Sequence, residues 1–169
     1  MNLKWIPVLL LSAIAWGSFA LSPTSAWANS IDQLCAAAAR GDTDTVRVLI
    51  QGGVDIDAKD KVGRTALMHA ARYGENATID ALLELGANIN AKNLNGHTAL
   101  IYAARFGNAD TVKLLLEKGA DFQIATAAGA TALELAKSYS HTNVVSILQN
   151  TALVDSRRTN QDWITSVPH

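Results

Sequence analysis

A repeat with a period of 33 residues limits what this chain can fold into more than any other feature. Three glycines recur at this period, each followed two positions later by Thr-Ala-Leu; they are Gly63, Gly96 and Gly129. Longer segments align in the same register: "TALMHAARYG" (65–74) with "TALIYAARFG" (98–107), and "ALLELGANINAKN" (81–93) with "LLLEKGADFQIAT" (114–126). Weaker copies lie on either side, so residues 31–150 hold about four copies. Such a fixed period indicates structural units that stack on one another.

The order of residues within one copy predicts the shape of the unit. Thr65 can cap the start of a helix, and Gly74 breaks that helix. A second helix follows, with apolar residues at helical spacing, and ends at Gly86. Residues 87–97 alternate small apolar residues with Asn and Gly, which favours an extended arm and a tight turn. Each unit is therefore helix, break, helix and projecting loop, and its alanines let neighbouring helices pack about 8–10 Å apart.

These features resemble the ankyrin-repeat family, which has the same period and a Thr-Pro-Leu-His-x-Ala signature. The resemblance covers residues 31–150. Two signature positions differ: alanine replaces proline at Ala66, Ala99 and Ala132, and other residues replace histidine at Met68, Ile101 and Glu134. Losing that histidine removes a hydrogen bond that steadies the turn, so we expect looser loops. The resemblance implies an all-α solenoid of stacked helix-turn-helix units with projecting β-turn loops.

The repeat also divides the chain into regions. We predict a signal peptide at 1–28, a repeat domain at 29–150 and a polar C-terminal tail at 151–169. The repeat domain comprises about four units, which are an N-terminal capping unit at 31–59, two middle units at 60–92 and 93–125, and a C-terminal capping unit at 126–150. The end units carry more polar residues, as expected where one face of a stack is uncovered.

The start of the chain has the pattern of an export signal. Lys4 provides a weak positive start, residues 8–21 are apolar, and "AWA" at 26–28 places small residues where a signal peptidase cuts. The apolar stretch is shorter than the ~20 residues that span a bilayer. We therefore expect cleavage between Ala28 and Asn29, and a periplasmic or secreted protein of the exported bacterial type. An uncleaved N-terminal anchor is the alternative.

Charge and cysteine content exclude some classes of protein. The 14 basic and 15 acidic side chains nearly cancel, whereas a general nucleic-acid binder carries a basic excess. Cys35 is the single cysteine, so no disulfide can form within the chain. We interpret it as a small buried apolar side chain, with an intermolecular disulfide as the alternative.

The sequence has no recognisable catalytic or metal-binding pattern. The histidines, which are His69, His97, His141 and His169, have no ligand spacing such as HExxH, and there is no glycine-rich phosphate loop or GxSxG motif. We therefore expect a non-catalytic protein with no cofactor and no metal. His69 aligns with Tyr102 and Leu135, which indicates a packing position between units. An enzyme or metal protein that uses His69 or His97 remains an alternative.

The resemblance implies that another protein binds to the loop tips and to the exposed, concave side of the first helices. At matching positions the loops carry Lys59, Lys61, Arg64, Lys92, Leu94, Asn95 and His97, and the ends of the first helices carry Arg72, Tyr73, Arg105, Phe106 and Tyr139. Six of these are basic, whereas acids gather on the second helices, which predicts a basic front and an acidic back. One interpretation is a groove for an acidic partner with a row of aromatic anchors; the other is ordinary solvated surface.

These observations predict a monomeric protein–protein interaction module in the periplasm. Its partner is another protein with an acidic surface; we expect no nucleic acid and, once the signal is removed, no membrane. The alternative is a structural or self-associating envelope protein that stacks end to end or pairs through Cys35.

Overall fold

The computed structural model describes residues 23–165, with side chains described for 29–157. This part of the chain forms eight α-helices, and its single β pairing is an isolated bridge between Ala125 and Thr131. The helices are α1 (Pro23–Ala39), α2 (Thr43–Gln51), α3 (Ala66–Tyr73), α4 (Asn76–Glu84), α5 (Ala99–Phe106), α6 (Ala109–Glu117), α7 (Ala132–Ser138) and α8 (Thr142–Thr165). The apolar stretch at 8–21 lies outside the described residues.

The repeated threonine starts the first helix of three units. Its hydroxyl accepts a hydrogen bond from the backbone N–H three residues later, in the pairs Thr65–Met68, Thr98–Ile101 and Thr131–Glu134, at 3.4, 3.3 and 3.4 Å. Two of these helices end at Gly74 and Gly107, whose φ angles of 78° and 76° lie in the left-handed region that glycine adopts at little cost. The predicted helix starts and breaks are confirmed.

Each unit is a pair of helices, and the pairs stack. The first helices α1, α3, α5 and α7 pack side by side, and so do the second helices α2, α4, α6 and α8. The first helices approach closely because the residues between them are small; Ala70, Ala71, Ala103 and Ala104 are all 0% exposed. Larger side chains such as Leu82 and Leu115 fill the space between the two layers. The predicted all-α solenoid is confirmed.

The helical part is longer than the predicted repeat at both ends. α1 begins at Pro23, before the predicted cleavage site, and proline is favoured at a first helical position. α8 continues to Thr165, although we predicted a polar tail after residue 150. Residues 151–165 contain neither glycine nor proline, so nothing in that segment stops the helix.

Candidate protein-interaction surface

The structure separates the predicted surface residues into two rows. The loop row precedes the first helices and comprises Lys59, Lys61, Arg64, Lys92, Leu94, Asn95 and His97. The helix-end row lies at the C-terminal ends of the first helices and comprises Arg72, Tyr73, Arg105, Phe106 and Tyr139. Since a helix rises 1.5 Å per residue, the two rows are about 11 Å apart. They are therefore two edges of one surface rather than one cluster.

Asp60 organises the first loop of the loop row. Its Oδ1 accepts hydrogen bonds from the backbone N–H groups of Val62 and Arg64 at 3.0 and 2.8 Å. Its Oδ2 accepts from Arg64 Nε at 2.8 Å and from His69 Nε2 at 3.0 Å. Burial alone raises the pKa of Asp60, but these hydrogen bonds outweigh it and lower the pKa to about 2. Arg64, predicted to be free for a partner, is instead held in an ion pair whose carboxylate is only 9% exposed.

The position of His69 is more polar than a packing position. Because a carboxylate only accepts hydrogen bonds, the neutral His69 ring must carry its proton on Nε2, toward Asp60. One repeat later, Asn93 Nδ2 donates to Tyr102 Oη at 3.0 Å, and its Oδ1 accepts from the backbone N–H of His97 at 2.9 Å. Both units thus tie the loop to the first helix by a side-chain hydrogen bond. These hydrogen bonds hold the loops against the helices, and the expectation of looser loops did not take them into account.

The loop tips of adjacent units are joined. Lys59 Nζ donates to the Lys92 carbonyl at 3.0 Å, and the Asn95 carbonyl accepts from Ala127 N–H at 2.9 Å. Leu94, which is 75% exposed, lies against Gly63 of the preceding loop. Lys61 carries its charge into solvent at the same edge. The loop row therefore forms a continuous edge, with the exposed apolar side chain of Leu94 near its middle.

The His97 side chain of the loop row packs against α5 of its own unit. Its ring lies 5.4 Å from the ring of Tyr102, and its Nδ1 is buried without a hydrogen-bond partner among the described residues. Burial, and secondly the charge of Arg105, lower the pKa of His97 below its ordinary value. The ring is therefore neutral at pH 7 and adds no positive charge to the surface.

The helix-end row forms an alternating series of rings and guanidinium groups, which we call the ladder (Tyr73, Arg72, Phe106, Arg105, Tyr139). The Arg72 guanidinium carbon lies 5.3 Å from the centre of the Tyr73 ring and 4.8 Å from that of Phe106. The Arg105 guanidinium carbon lies 5.9 Å from the centre of Phe106 and 5.5 Å from that of Tyr139. All four distances are within the range of a cation–π interaction. The aromatic residues nevertheless remain exposed: Tyr73 to 54%, Phe106 to 42% and Tyr139 to 48%.

The following unit fixes the backbone at each arginine. Asn108 Nδ2 donates to the carbonyls of Ala71 and Arg72, both at 2.9 Å, and caps the end of α3. One repeat later, His141 Nε2 lies 3.0 Å from the Arg105 carbonyl. These side chains satisfy carbonyls that have no partner within their own helix. The ladder is therefore held by contacts between units, and His141 has a structural role in one of them.

The second helices form a mixed surface rather than the predicted acidic back. Three of their acids pair with bases, two of them with a base of the neighbouring unit; the pairs are Arg47–Glu84 at 3.4 Å, Lys118–Asp80 at 2.8 Å and Lys113–Asp110 at 3.7 Å. The sequence prediction missed these bases because they lie one repeat, or one helical turn, from their partners. The basic character of the front comes from the ladder arginines and from Lys59, Lys61 and Lys92, none of which has an ion pair among residues 29–157.

Cys35 lies inside the fold. Its side chain is 5% exposed, and burial, followed by the charges of Asp60 and Asp32, raises the pKa of the thiol to about 12. The thiolate, and not the neutral thiol, is the nucleophile that forms or exchanges a disulfide. The alternative in which two chains pair through Cys35 therefore lacks an accessible and ionised sulfur, whereas the interpretation as a small buried side chain is confirmed.

Across residues 29–157, no group of three or more His, Cys, Asp or Glu side chains is placed to hold a metal ion. Among the described helices, none is both long enough and apolar enough to cross a membrane.

A family model described as ankyrin repeats (3 copies) matches residues 34–126 and 91–158. Together these matches cover both rows of the surface and the first part of α8. No curated protein shows significant similarity to the chain.

Proposed function

Because this chain belongs to the ankyrin-repeat family, whose members are generally protein–protein interaction modules, we propose that it binds an acidic surface of another protein through the ladder and the loop row. The binding is non-catalytic. The observation that carries this proposal is the ladder itself, in which three exposed rings alternate with two arginines that have no acidic partner among residues 29–157.

Two physical arguments support this surface as a binding site. Tyrosine and arginine are enriched at the energetic centres of interfaces, because a rigid ring buries much area with little loss of conformational freedom and a guanidinium group forms bidentate hydrogen bonds. In the ladder these groups are already ordered against one another, which reduces the entropy that a partner must remove. Leu94, at 75% exposure, gives the opposite edge an apolar contact point.

Site-specific photo-crosslinking in the cells that make the protein tests the proposal. The change Phe106→p-benzoylphenylalanine places a crosslinker in the ladder, and Val48→p-benzoylphenylalanine places one on the second-helix side, where Val48 is 66% exposed. We expect one partner protein to crosslink at 106 and not at 48. Arg105→Glu should abolish that crosslink, and Arg47→Glu, the same reversal on the second-helix side, should leave it unchanged. Equal crosslinking at both sites, or no effect of Arg105→Glu, would refute the proposal.

We further propose that the protein acts in the periplasm as a monomer after removal of residues 1–28. The pattern of Lys4, the apolar stretch and the small residues before Asn29 supports this proposal. Fractionation followed by mass spectrometry of the N-terminus is the test, and Asn29 is the expected first residue. Ala28→Leu should block cleavage. A cytoplasmic protein that retains Met1 would contradict the proposal.

Self-association is the second candidate, and one observation favours it. Leu153 and Val154, on the part of α8 beyond the predicted repeat, are 56% and 61% exposed. Two chains could bury these side chains against each other. Light scattering over a range of concentrations separates the candidates: a constant monomer mass rejects self-association, and a mass that rises and then returns to the monomer value in Leu153→Asp supports it.

A further inference from the structure

We infer that the ladder binds an extended acidic segment of its partner, with one carboxylate seated on Arg72 and a second, two residues away, seated on Arg105. This inference rests on the proposed function, because it names the partner chemistry for the same surface.

The charges on the ladder arginines are not neutralised within the described part of the chain. The contacts of Arg72 and Arg105 there are ring faces, and neither arginine has an acidic partner. Arg72 Nε is buried, so a partner can reach only the terminal nitrogens of that guanidinium group. A guanidinium group is planar, and stacking on a ring occupies its faces but leaves the edge N–H donors available. Those donors match the two oxygens of a carboxylate in a bidentate pair. Each half-buried arginine therefore presents one unused site for a carboxylate.

The spacing of the arginines limits the spacing of the acids. Their guanidinium carbons lie 4.8 and 5.9 Å from the same Phe106 ring centre, so they are no more than about 11 Å apart. In an extended chain, side chains on the same side are two residues or about 7 Å apart, whereas a separation of four residues is about 13 Å. Carboxylates at positions i and i+2 therefore fit within the limit, whereas the backbone positions i and i+4 are farther apart than the two guanidinium carbons, so we expect the closer spacing to bind better.

A third observation favours an extended segment over a helical one. Asp110 lines the groove beside Tyr73, and its side chain is 85% exposed. Lys113 is 3.7 Å from that carboxylate and offsets its charge only in part. A helix projects side chains all around its axis, whereas an extended segment projects them to two opposite sides. A narrow acidic segment can follow the ladder at a distance from Asp110, and a helix brings further acids against it.

The test is an NMR titration of the processed protein with synthetic peptides of Gly, Ser and Thr that carry two glutamates. The backbone amides give both the dissociation constant and the location of binding. We expect the peptide with glutamates at i and i+2 to perturb residues of the ladder. Changing either glutamate to glutamine should weaken binding roughly fivefold, which corresponds to loss of one partly exposed ion pair. Glutamates placed eight residues apart should bind no better than one glutamate.

Charge exchange makes the test specific to the two arginines. The double variant Arg72→Glu, Arg105→Glu should lose the glutamate peptide and bind the matching peptide with lysines at i and i+2. Arg47→Glu, a single reversal on α2 of the first unit, is the control and should leave the dissociation constant unchanged. Circular dichroism and the urea midpoint of each variant confirm that it is folded.

The possible failures are distinguishable. If the peptides do not bind, or bind equally at every spacing, the inference is overturned, whereas the crosslink at position 106 still supports the proposed function. If an alanine-based helix with glutamates at i and i+4 binds more tightly than the extended peptide, the extended geometry is wrong. If the peptide binds and no crosslinked partner is found, the proposed function fails and the chemistry of the ladder stands.

Discussion

Replacing Asp60 by asparagine removes one negative charge from the first loop and keeps the shape of the side chain. The amide oxygen can still accept from the backbone N–H groups of Val62 and Arg64, as Asn93 accepts from the corresponding groups one repeat later. What is lost is the charged interaction with the Arg64 and His69 side chains. The change therefore measures the charge on Asp60 rather than the fold of the loop.

The pKa of Asp60 provides the magnitude. A carboxyl group with a pKa of about 2 in the folded state and about 3.9 in the unfolded chain contributes about 2–3 kcal/mol to stability at neutral pH. Because the folded pKa is the lower one, this contribution is complete above pH 5 and is lost as the pH falls toward 2. We expect Asp60→Asn to lower the free energy of unfolding by about 2 kcal/mol at pH 7.

Urea unfolding followed by circular dichroism, at pH 7 and again near pH 2.5, is the assay. The difference between wild type and Asp60→Asn should shrink by more than half at the lower pH. Asp57→Asn is the matched control, since it removes the same charge from the same loop, and the next unit has Asn90 there with the same acceptor role. It should cost less than about 0.5 kcal/mol. An equal loss in both variants, or a loss from Asp60→Asn that does not depend on pH, would refute the reasoning.

Three further predictions follow from other contacts. Cys35 should react with a thiol reagent at least roughly a hundredfold more slowly in the native than in the urea-unfolded protein, because it is buried and un-ionised; equal rates would contradict this placement. Gly96→Ala should destabilise the protein by roughly 1 kcal/mol more than Gly119→Ala in urea unfolding. Both glycines have positive φ, but only at Gly96 would an added Cβ meet backbone, 2.9 Å from Ala127 N. Equal losses would show that the loop contact is unimportant. The folded pKa of His69 is lowered by burial, so stability should fall as the pH drops below about 6.5, and the urea midpoint of His69→Gln should depend less on pH in that range.

Much of the fold could be predicted because its signals are local and repeated. Thr65, Thr98 and Thr131 cap helices through a contact that spans three residues, and Gly74 ends a helix through its own φ angle. The prediction did not include the full length of the end helices, because the repeat no longer constrains the pattern there. A polar segment without glycine or proline was interpreted as a tail, but α8 continues through it.

The candidate surface was only partly predictable. The residues of the ladder could be named because exposed helix ends recur at the repeat period. The role of Asp60 was missed, although a signal existed: positions 60 and 93 are both polar, as are positions 69 and 102. Reading the polar positions in pairs would have predicted the hydrogen bonds from loop to helix.

The sequence by itself determined the repeat, the helix boundaries within it and the positions that remain exposed, because each depends on residues a few positions apart. Only the tertiary structure decided which charges are free. Arg64 and Arg72 look alike in sequence, yet Arg64 is paired with Asp60 and Arg72 is stacked between two rings, one of them in the next unit. The pair of Arg64 and Asp60 spans four positions of one loop, whereas the contact of Arg72 with Phe106 needs the next unit, which brings side chains 34 positions apart in sequence together.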